Sequence, residues 1–368
     1  MNKRLNIIHH DYVTPITMGV RGIPFNDPVA VILRIYRHFT EDSLYRNSIF
    51  LMLSTGVMAF IGFFFWIINA RLFTPEQVGI ATTLISIITL ISNFSILGLG
   101  NGLIRYLPNS KVKNKKINTS FSIIFITGLL LSLIYLSFMK SFSPSLLFIR
   151  NNIIFATLFI VFAIFSSLNI TSESIFIAYR SAKYVLIKNT LLSIIKLSLP
   201  LVLIGLGAYG IFMSVGIAYT IASALALLIL IIKFNYSARF IIDKAVLKEI
   251  GKFSFGNYVA SFIGSMPTMI LPIFITNFIG AKFSAYFYID MMIANMIFII
   301  PLAASQSLFA EGSYSETEFK LHLNKAVRMI LLILLPTAAL ALLLGSFILM
   351  VFGKQYSNDG VGLLNLLI

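Results

Sequence analysis

Nine apolar runs, each long enough to cross a bilayer, recur near residues 48–70, 79–105, 118–139, 151–178, 189–207, 210–232, 253–278, 283–309 and 325–352. A hydrocarbon core about 30 Å thick is crossed by roughly 20 residues of helix, and lipid offers no partner to backbone polar groups left outside regular structure. The expected fold is all-α and polytopic, with about nine complete transmembrane helices. The last eight residues, VGLLNLLI (361–368), read as a partial tenth, since a helix that short rises only about 12 Å. Just 11% of the residues are charged, against about 25% in soluble domains. The absence of cysteine removes disulfides, thiolate metal sites and cysteine nucleophiles together.

A net charge of +15 would suggest nucleic acid on a soluble chain. On the expected topology the charges instead sort by side. With a cytoplasmic N-terminus, the inner segments hold Lys111, Lys113, Lys115 and Lys116, then Arg180, Lys183 and Lys188, then Lys233, Arg239, Lys244, Lys248 and Lys252. The outer loops hold only Arg71, Lys140, Arg150, Lys282 and Lys354. Such an excess orients a chain by the positive-inside rule and suits contact with anionic inner-leaflet lipids. The expectation is a multi-pass protein of the cytoplasmic membrane without a nucleic-acid partner, since no soluble basic domain is present to hold one.

Residues 1–47 contain no apolar signal core and read as a cytoplasmic tail, with the pattern of an interfacial amphipathic helix over 28–50. Residues 48–232 hold six runs, an N-terminal six-helix lobe. In 233–252, Lys244, Lys248 and Lys252 recur every fourth position opposite Ile242, Val246 and Ile250, which predicts a cytoplasmic linker helix. Residues 253–368 form a C-terminal lobe with three runs and the partial tenth. Displacing the chain by 205 positions lays Thr74, Pro75 and Glu76 on Ile279, Gly280 and Ala281, and 98–102 (GLGNG) on 303–307 (AASQS). Each half thus opens with the same helix, tight hairpin, helix pattern, and parallel repeats of this kind place a transport site between two halves.

GLGNG contains G-x-G but follows no strand, which removes a dinucleotide site. Gly98 and Gly102, one turn apart, form instead a small-residue face for close helix packing. Pro200, Pro267, Pro272, Pro301 and Pro336 lie inside the runs, where bent, cavity-lining helices and plain tolerance of proline are equally consistent with them. A charge at mid-bilayer costs about 2.5–3.5 kcal/mol and is usually kept for a pathway or a partner. Lys196, Arg105, Glu173 and Asp290 are of this kind, although snorkelling serves equally well for Arg105 and Glu173 near span ends. His9, His10 and Asp11 cluster in the tail without further spaced ligands, so no metal site is read there. With no HExxH, GxSxG or P-loop and only short loops, neither cofactor nor enzymatic activity is expected. A membrane-embedded glycan polymerase or transferase is the remaining enzymatic reading.

RLFTPEQVGIATTLISIITLISNFSILGLGNGLIRYLP (71–108), KFSFGNYVASF (252–262) and GAKFSAYFYIDMMIANMIFIIPLAASQSLFAEGS (280–313) carry a resemblance. They are similar to the polysaccharide transporter branch of the multidrug/oligosaccharidyl-lipid/polysaccharide (MOP) exporter superfamily, flippases for lipid-linked sugars. The resemblance implies a MATE-like arrangement of two lobes around a cavity open alternately to either side, here with an incomplete C-terminal lobe. It implies a substrate of polyprenyl pyrophosphate-linked oligosaccharide type. On that reading Lys196 and Arg105 engage phosphate, while Asn101, Tyr286, Asn295 and Gln306 bond sugar hydroxyls. Asp290 and Glu173 serve coupling to a proton or cation. A MATE-type drug/cation antiporter is the alternative, against which the cations Arg105 and Lys196 favour an anionic head group.

Overall fold

The structure, a computed structural model, describes residues 43–312 and 319–368. The readings for residues 1–42, including His9, His10 and Asp11, lie outside the described residues. Among the described residues there is no strand, and nine long helices follow the nine apolar runs. They are α1 (Ser43–Leu72), α2 (Pro75–Ile96), α4 (Lys113–Phe142), α5 (Ile153–Ala178), α6 (Lys183–Val202), α7 (Ala208–Phe234), α8 (Lys244–Phe278), α9 (Ala281–Gly312) and α10 (Phe319–Phe352). Shorter helices complete the order, among them α3 (Leu99–Tyr106) and α11 (Lys354–Leu367), with single turns at Pro144–Leu146, Leu147–Arg150 and Ile204–Leu206. Seven of the nine are long and apolar enough to cross a membrane along their described residues, and α8 adds a shorter apolar stretch, Phe262–Phe278.

Three local expectations change. Residues 43–50, read as the end of an interfacial helix, are the first turns of α1. The run 79–105 is two helices, because Leu97 (φ 50°) and Gly98 (φ 73°) both take the left-handed conformation and end α2. Between Gly98 and Gly102 the chain comes close to α5, where a Cβ at Gly100 would lie 2.7 Å from Ser174 Oγ. Residues 244–252 run without a break into the following span as α8. Val246 and Ile250 of its apolar face are buried in one cluster with Leu99, Leu103 and Ile117, while Ile242, before the helix begins, is exposed.

Helix α2 sits at the centre and packs on α4, α5, α7, α8 and α9. Its start is fixed locally. Thr74 Oγ1 accepts from the Gln77 amide (3.3 Å), Gln77 Oε1 accepts from the Thr74 amide (3.2 Å), and Pro75 occupies the first turn. Its body is rich in buried small hydroxyl residues, Thr82, Thr83, Ser86, Ser92 and Ser95. Lipid supplies no hydrophobic drive between helices, so close packing of small residues and interhelical hydrogen bonds take that role.

All connections bearing the lysine runs lie at one end of the bundle, and Arg71, Lys140, Arg150, Lys282 and Lys354 lie toward the other. At the lysine-rich end the link from α7 to α8 is tied along α4. Asn118 donates to the Ser237 carbonyl (2.9 Å) and accepts from Tyr236 Oη (2.6 Å) and the Arg239 amide (3.0 Å). Asp243 caps α8 through the Ala245 and Val246 amides (2.8 and 3.0 Å) and pairs with Lys115. Lys115 first, then these amides, hold the Asp243 carboxyl below its ordinary value. A lowered folded-state value stabilises at pH above the ordinary carboxylate range and is lost as pH falls through that lowered value. The melting advantage of the wild type over Asp243→Asn is therefore expected to be full at neutral pH and to shrink as melts are taken to acid pH, through and below the ordinary carboxylate range.

Candidate functional site

Where α1 and α2 meet α8 and α9, the two hairpins that the 205-residue displacement superposes, they leave a cavity of about 290 Å³. Trp66 comes from α1, Ser86 and Thr89 from α2, Thr268 from α8, and Tyr288 and Asn295 from α9. Methionines 269, 291 and 292 fill between them. Ser86 and Met291 are equivalent under the displacement and both line the wall. The Trp66 and Tyr288 rings pack against each other in its wall, tilted by 55° with centroids 4.7 Å apart. Pro272 has no N–H to give the Thr268 carbonyl, which frees an acceptor at this wall. The lining offers hydroxyls, an amide and aromatic faces, with no carboxylate, ammonium or guanidinium.

Away from the lysines, the helices are clasped above this cavity. Gly79 of α2 approaches the start of α9 so closely that a Cβ on it would stand 1.7 Å from the Ala281 carbonyl oxygen. One turn on, Thr83 Oγ1 lies 2.5 Å from Thr276 Oγ1, 3.3 Å from the Pro272 carbonyl and 2.8 Å from the Gly79 carbonyl. Thr83 has a single proton to donate, so the Thr276 hydroxyl donates to Thr83 whenever Thr83 serves a carbonyl. Ser284 donates to the same Pro272 carbonyl (3.2 Å). Arg71 closes the edge by donating Nε to the Val351 carbonyl (2.9 Å) and Nη2 to that of Met350 (2.6 Å), satisfying the last turn of α10. Asn277 adds a bond to the Phe142 carbonyl.

The charged residues inside the bundle occupy separate places. Lys188 of α6 is fully enclosed, and its ammonium donates to Glu173 Oε1 (2.8 Å), Asn169 Oδ1 (2.9 Å) and Asn189 Oδ1 (2.9 Å). Asn189 in turn donates to Ser54 Oγ of α1 (3.0 Å). Two turns further along α6, Lys196 Nζ stands 5.1 Å over the Phe65 ring of α1, with no carboxylate in ion-pair range among the described residues. Asp290 is fully buried on α9, and neither carboxylate oxygen has a hydrogen-bond partner. It lies against α11, where a Cβ at Gly360 would be 3.5 Å from each oxygen.

The family model for polysaccharide biosynthesis proteins matches residues 44–309. The chain belongs to this family. Its fold is that of solved MATE transporters. An inward-facing multidrug resistance MATE family transporter of the MOP superfamily superposes with a TM-score of 0.55 at 15% identity, covering 86% of this chain and 76% of that one. The MATE multidrug transporter DinF-BH superposes with a TM-score of 0.54 at 17% identity, covering 88% and 77%. No curated protein sequence matches significantly. The resemblance read from residues 71–108 thus holds for the family, and the MATE-like arrangement for the fold.

Within this family member the sequence-derived site residues do not gather at one point. Asn295 lines the cavity between the hairpins. Tyr286, one residue pair from Tyr288, turns away and donates to Asp359 Oδ2 of α11 (3.1 Å). Asn101 and Arg105 lie exposed on α3 at the lysine-rich end, Arg105 stacking 5.5 Å over Tyr106. The Gln306 side chain lies outside the described residues. Glu173 is held by Lys188, which sequence reading had counted as a topological charge in a loop. That reading missed an available signal. Asn169 and Glu173 lie one turn apart on one face of α5, close to the end that meets the first two turns of α6, which hold Lys188 and Asn189.

Proposed function

We propose that this membrane transporter flips a polyprenyl pyrophosphate-linked oligosaccharide from the cytoplasmic to the outer leaflet of the cell membrane. The lysine-rich end faces the cytoplasm, and lobes 48–232 and 253–368 rock about the seam between α2 and α9. The observation that carries this reading is the cavity whose largely apolar wall of aromatic rings and methionines carries Ser86, Thr89, Thr268, Tyr288 and Asn295 and no full charge. Sugar hydroxyls stripped of water cost several kcal/mol each when unpaired, roughly 2–7 by reference state, and such a wall offers them partners. A cation-selecting drug site would place a carboxylate there, so the antiporter reading is the weaker one. Membrane potential assists the step by about 2.3 kcal/mol per negative charge per 100 mV moved outward.

In this scheme Asn295, with Ser86, Thr89 and Thr268, bonds sugar, and Gln306 extends that path. Arg105 and Asn101 meet the head group on entry, and Lys196 engages the pyrophosphate once α1 and α6 part. Asp290 couples the cycle to a proton or cation. Glu173 supports coupling through its pair with Lys188, and Tyr286 acts by positioning α11 through Asp359.

The test is translocation of a polyprenyl pyrophosphate-linked oligosaccharide in proteoliposomes, read by access of a membrane-impermeant lectin. Lys196→Ala is expected to slow it at least about tenfold, equivalent to about 1.4 kcal/mol, and Lys196→Arg to retain most of the rate. A wild-type rate in Lys196→Ala removes the phosphate role. Ethidium efflux without glycolipid transfer replaces the flippase reading by the antiporter.

A further inference from the structure

The lysine-rich end holds a second recess, of about 820 Å³, lined by the start of α4, the end of α5 and the end of α7 and sharing no residue with the cavity between the hairpins. Its walls carry Lys111, Lys113, Lys115 and Lys233, and no carboxylate lines it. Tyr179 and Phe234 stack in it with centroids 4.5 Å apart, and Lys113 Nζ stands 5.4 Å over the Tyr179 ring. Lys115 is engaged by Asp243, whereas Lys111, Lys113 and Lys233 form no ion pair among the described residues.

The placement of these lysines runs against helix electrostatics. Lys113, Lys115 and Lys116 begin α4, whose first turn has no acidic residue and whose N-cap, Val112, gives no side-chain hydrogen bond. Cations at the positive end of a helix dipole are disfavoured and anions favoured, so the site as folded is short of negative charge. Acids relieve Lys115 and Lys116, through Asp243 and Glu249 respectively, and leave Lys111, Lys113 and Lys233 of the recess without an ion pair among the described residues.

We propose that this recess binds the phosphate head group of an anionic phospholipid. The choice of a lipid over a soluble phosphate comes from α7. Leu228, Ile231 and Ile232 are exposed along the helix that leads to the recess, Ile232 by 67%, and this apolar stripe ends one residue before Lys233. Val112 is likewise exposed at the lip. A head group seated among the lysines places its acyl chains along that stripe, whereas a soluble anion makes no use of it. The assignment uses the orientation proposed above only to name the cytoplasmic leaflet and is independent of the transported substrate.

The full chain purified in detergent is titrated with dioleoylphosphatidylglycerol, dioleoylphosphatidylcholine and inorganic pyrophosphate, with bound lipid counted by native mass spectrometry. Phosphatidylglycerol is expected to bind and the other two not. Lys111→Gln with Lys113→Gln and Lys233→Gln is expected to weaken it more than about tenfold, each lysine near the surface being worth about fivefold. Lys140→Gln with Lys282→Gln at the opposite end is expected to change nothing. Equal phosphatidylglycerol binding by the triple variant and the wild type overturns the site, and pyrophosphate binding as tight as the lipid's overturns the lipid. If the triple variant does not fold, Lys233→Gln alone decides, with about a fivefold loss expected and an unchanged affinity overturning the proposal. Because the readout is lipid occupancy, a failure here leaves the flippase reading standing, and a failure of transport leaves this one standing.

Discussion

Lys188→Ala is expected to destabilise the protein by about 2–3 kcal/mol, below the roughly 3–5 of a fully buried ion pair, because the Glu173 side chain stays 31% exposed. The ammonium has three protons and meets three acceptors, Glu173, Asn169 and Asn189, at 2.8–2.9 Å, so it is fully satisfied inside an enclosed site. Truncation leaves Glu173 without its counter-ion and two amide oxygens without donors, in a bundle where lipid cannot compensate. It also removes the tie that joins α5 to α6 and, through Asn189 and Ser54, to α1. The check is the melting temperature of detergent-purified variants, measured with Lys188→Met/Glu173→Gln alongside. That double variant removes both charges and fills the space, and buried pairs replaced by apolar groups are often neutral, so it is expected to recover most of the loss. A Lys188→Ala melt indistinguishable from wild type would mean that the enclosed ammonium contributes nothing net.

Gly79→Ala is expected to open the clasp above the cavity. The added Cβ would stand 1.7 Å from the Ala281 carbonyl oxygen and 2.5 Å from its carbon, and both atoms are backbone, so no rotamer change relieves the overlap. Helices α2 and α9 have to separate by more than an ångström, roughly, to reach an ordinary contact of about 3.5–4.0 Å. That displacement breaks the short hydroxyl contact of Thr83 with Thr276 and the longer one, 3.4 Å, with Ser284. Because the chain has no cysteine, a single introduced pair reports the distance cleanly. Thr83→Cys with Thr276→Cys is expected to oxidise readily in the otherwise wild-type chain and to lose most of its crosslinking when Gly79→Ala is added. Undiminished crosslinking would show that the hairpins tolerate the methyl group without parting. In the transport assay Gly79→Ala is expected to lower turnover at least about tenfold, about 1.4 kcal/mol, if closure at this seam is a required step.

The span positions, the charge asymmetry and the position of the paired hairpins could be read from the residues. Each depends on a local quantity: the apolar length that fits a bilayer, the side on which lysines accumulate, or a tight turn such as the one Thr74, Pro75 and Gln77 build. The break at Leu97 and Gly98 was less accessible, because an apolar run hides a change of direction that only two left-handed residues create. The candidate site was read least well. Lys196 and Lys188 lie two turns apart on one helix, and sequence reading valued the first and discounted the second. The partners that give Lys188 its importance sit 15 and 19 residues away on α5, across a hairpin whose rotation the sequence leaves open. Asn295 and Tyr286 were assigned a common role, yet the turn of α9 sends one to the cavity and the other to Asp359.

By itself, then, the sequence determined that this chain is a multi-pass bundle of long apolar helices with one basic end, seven of them apolar enough to span a bilayer among the described residues, since the bilayer imposes length and apolarity on each segment independently. Only the tertiary structure decided which residues meet. A helix that is apolar on nearly every side carries little record of which face it turns inward, because lipid and protein interior solvate an aliphatic side chain almost equally. The inward faces are set by close contacts between distant segments, such as Gly79 on Ala281 and Asp290 on Gly360.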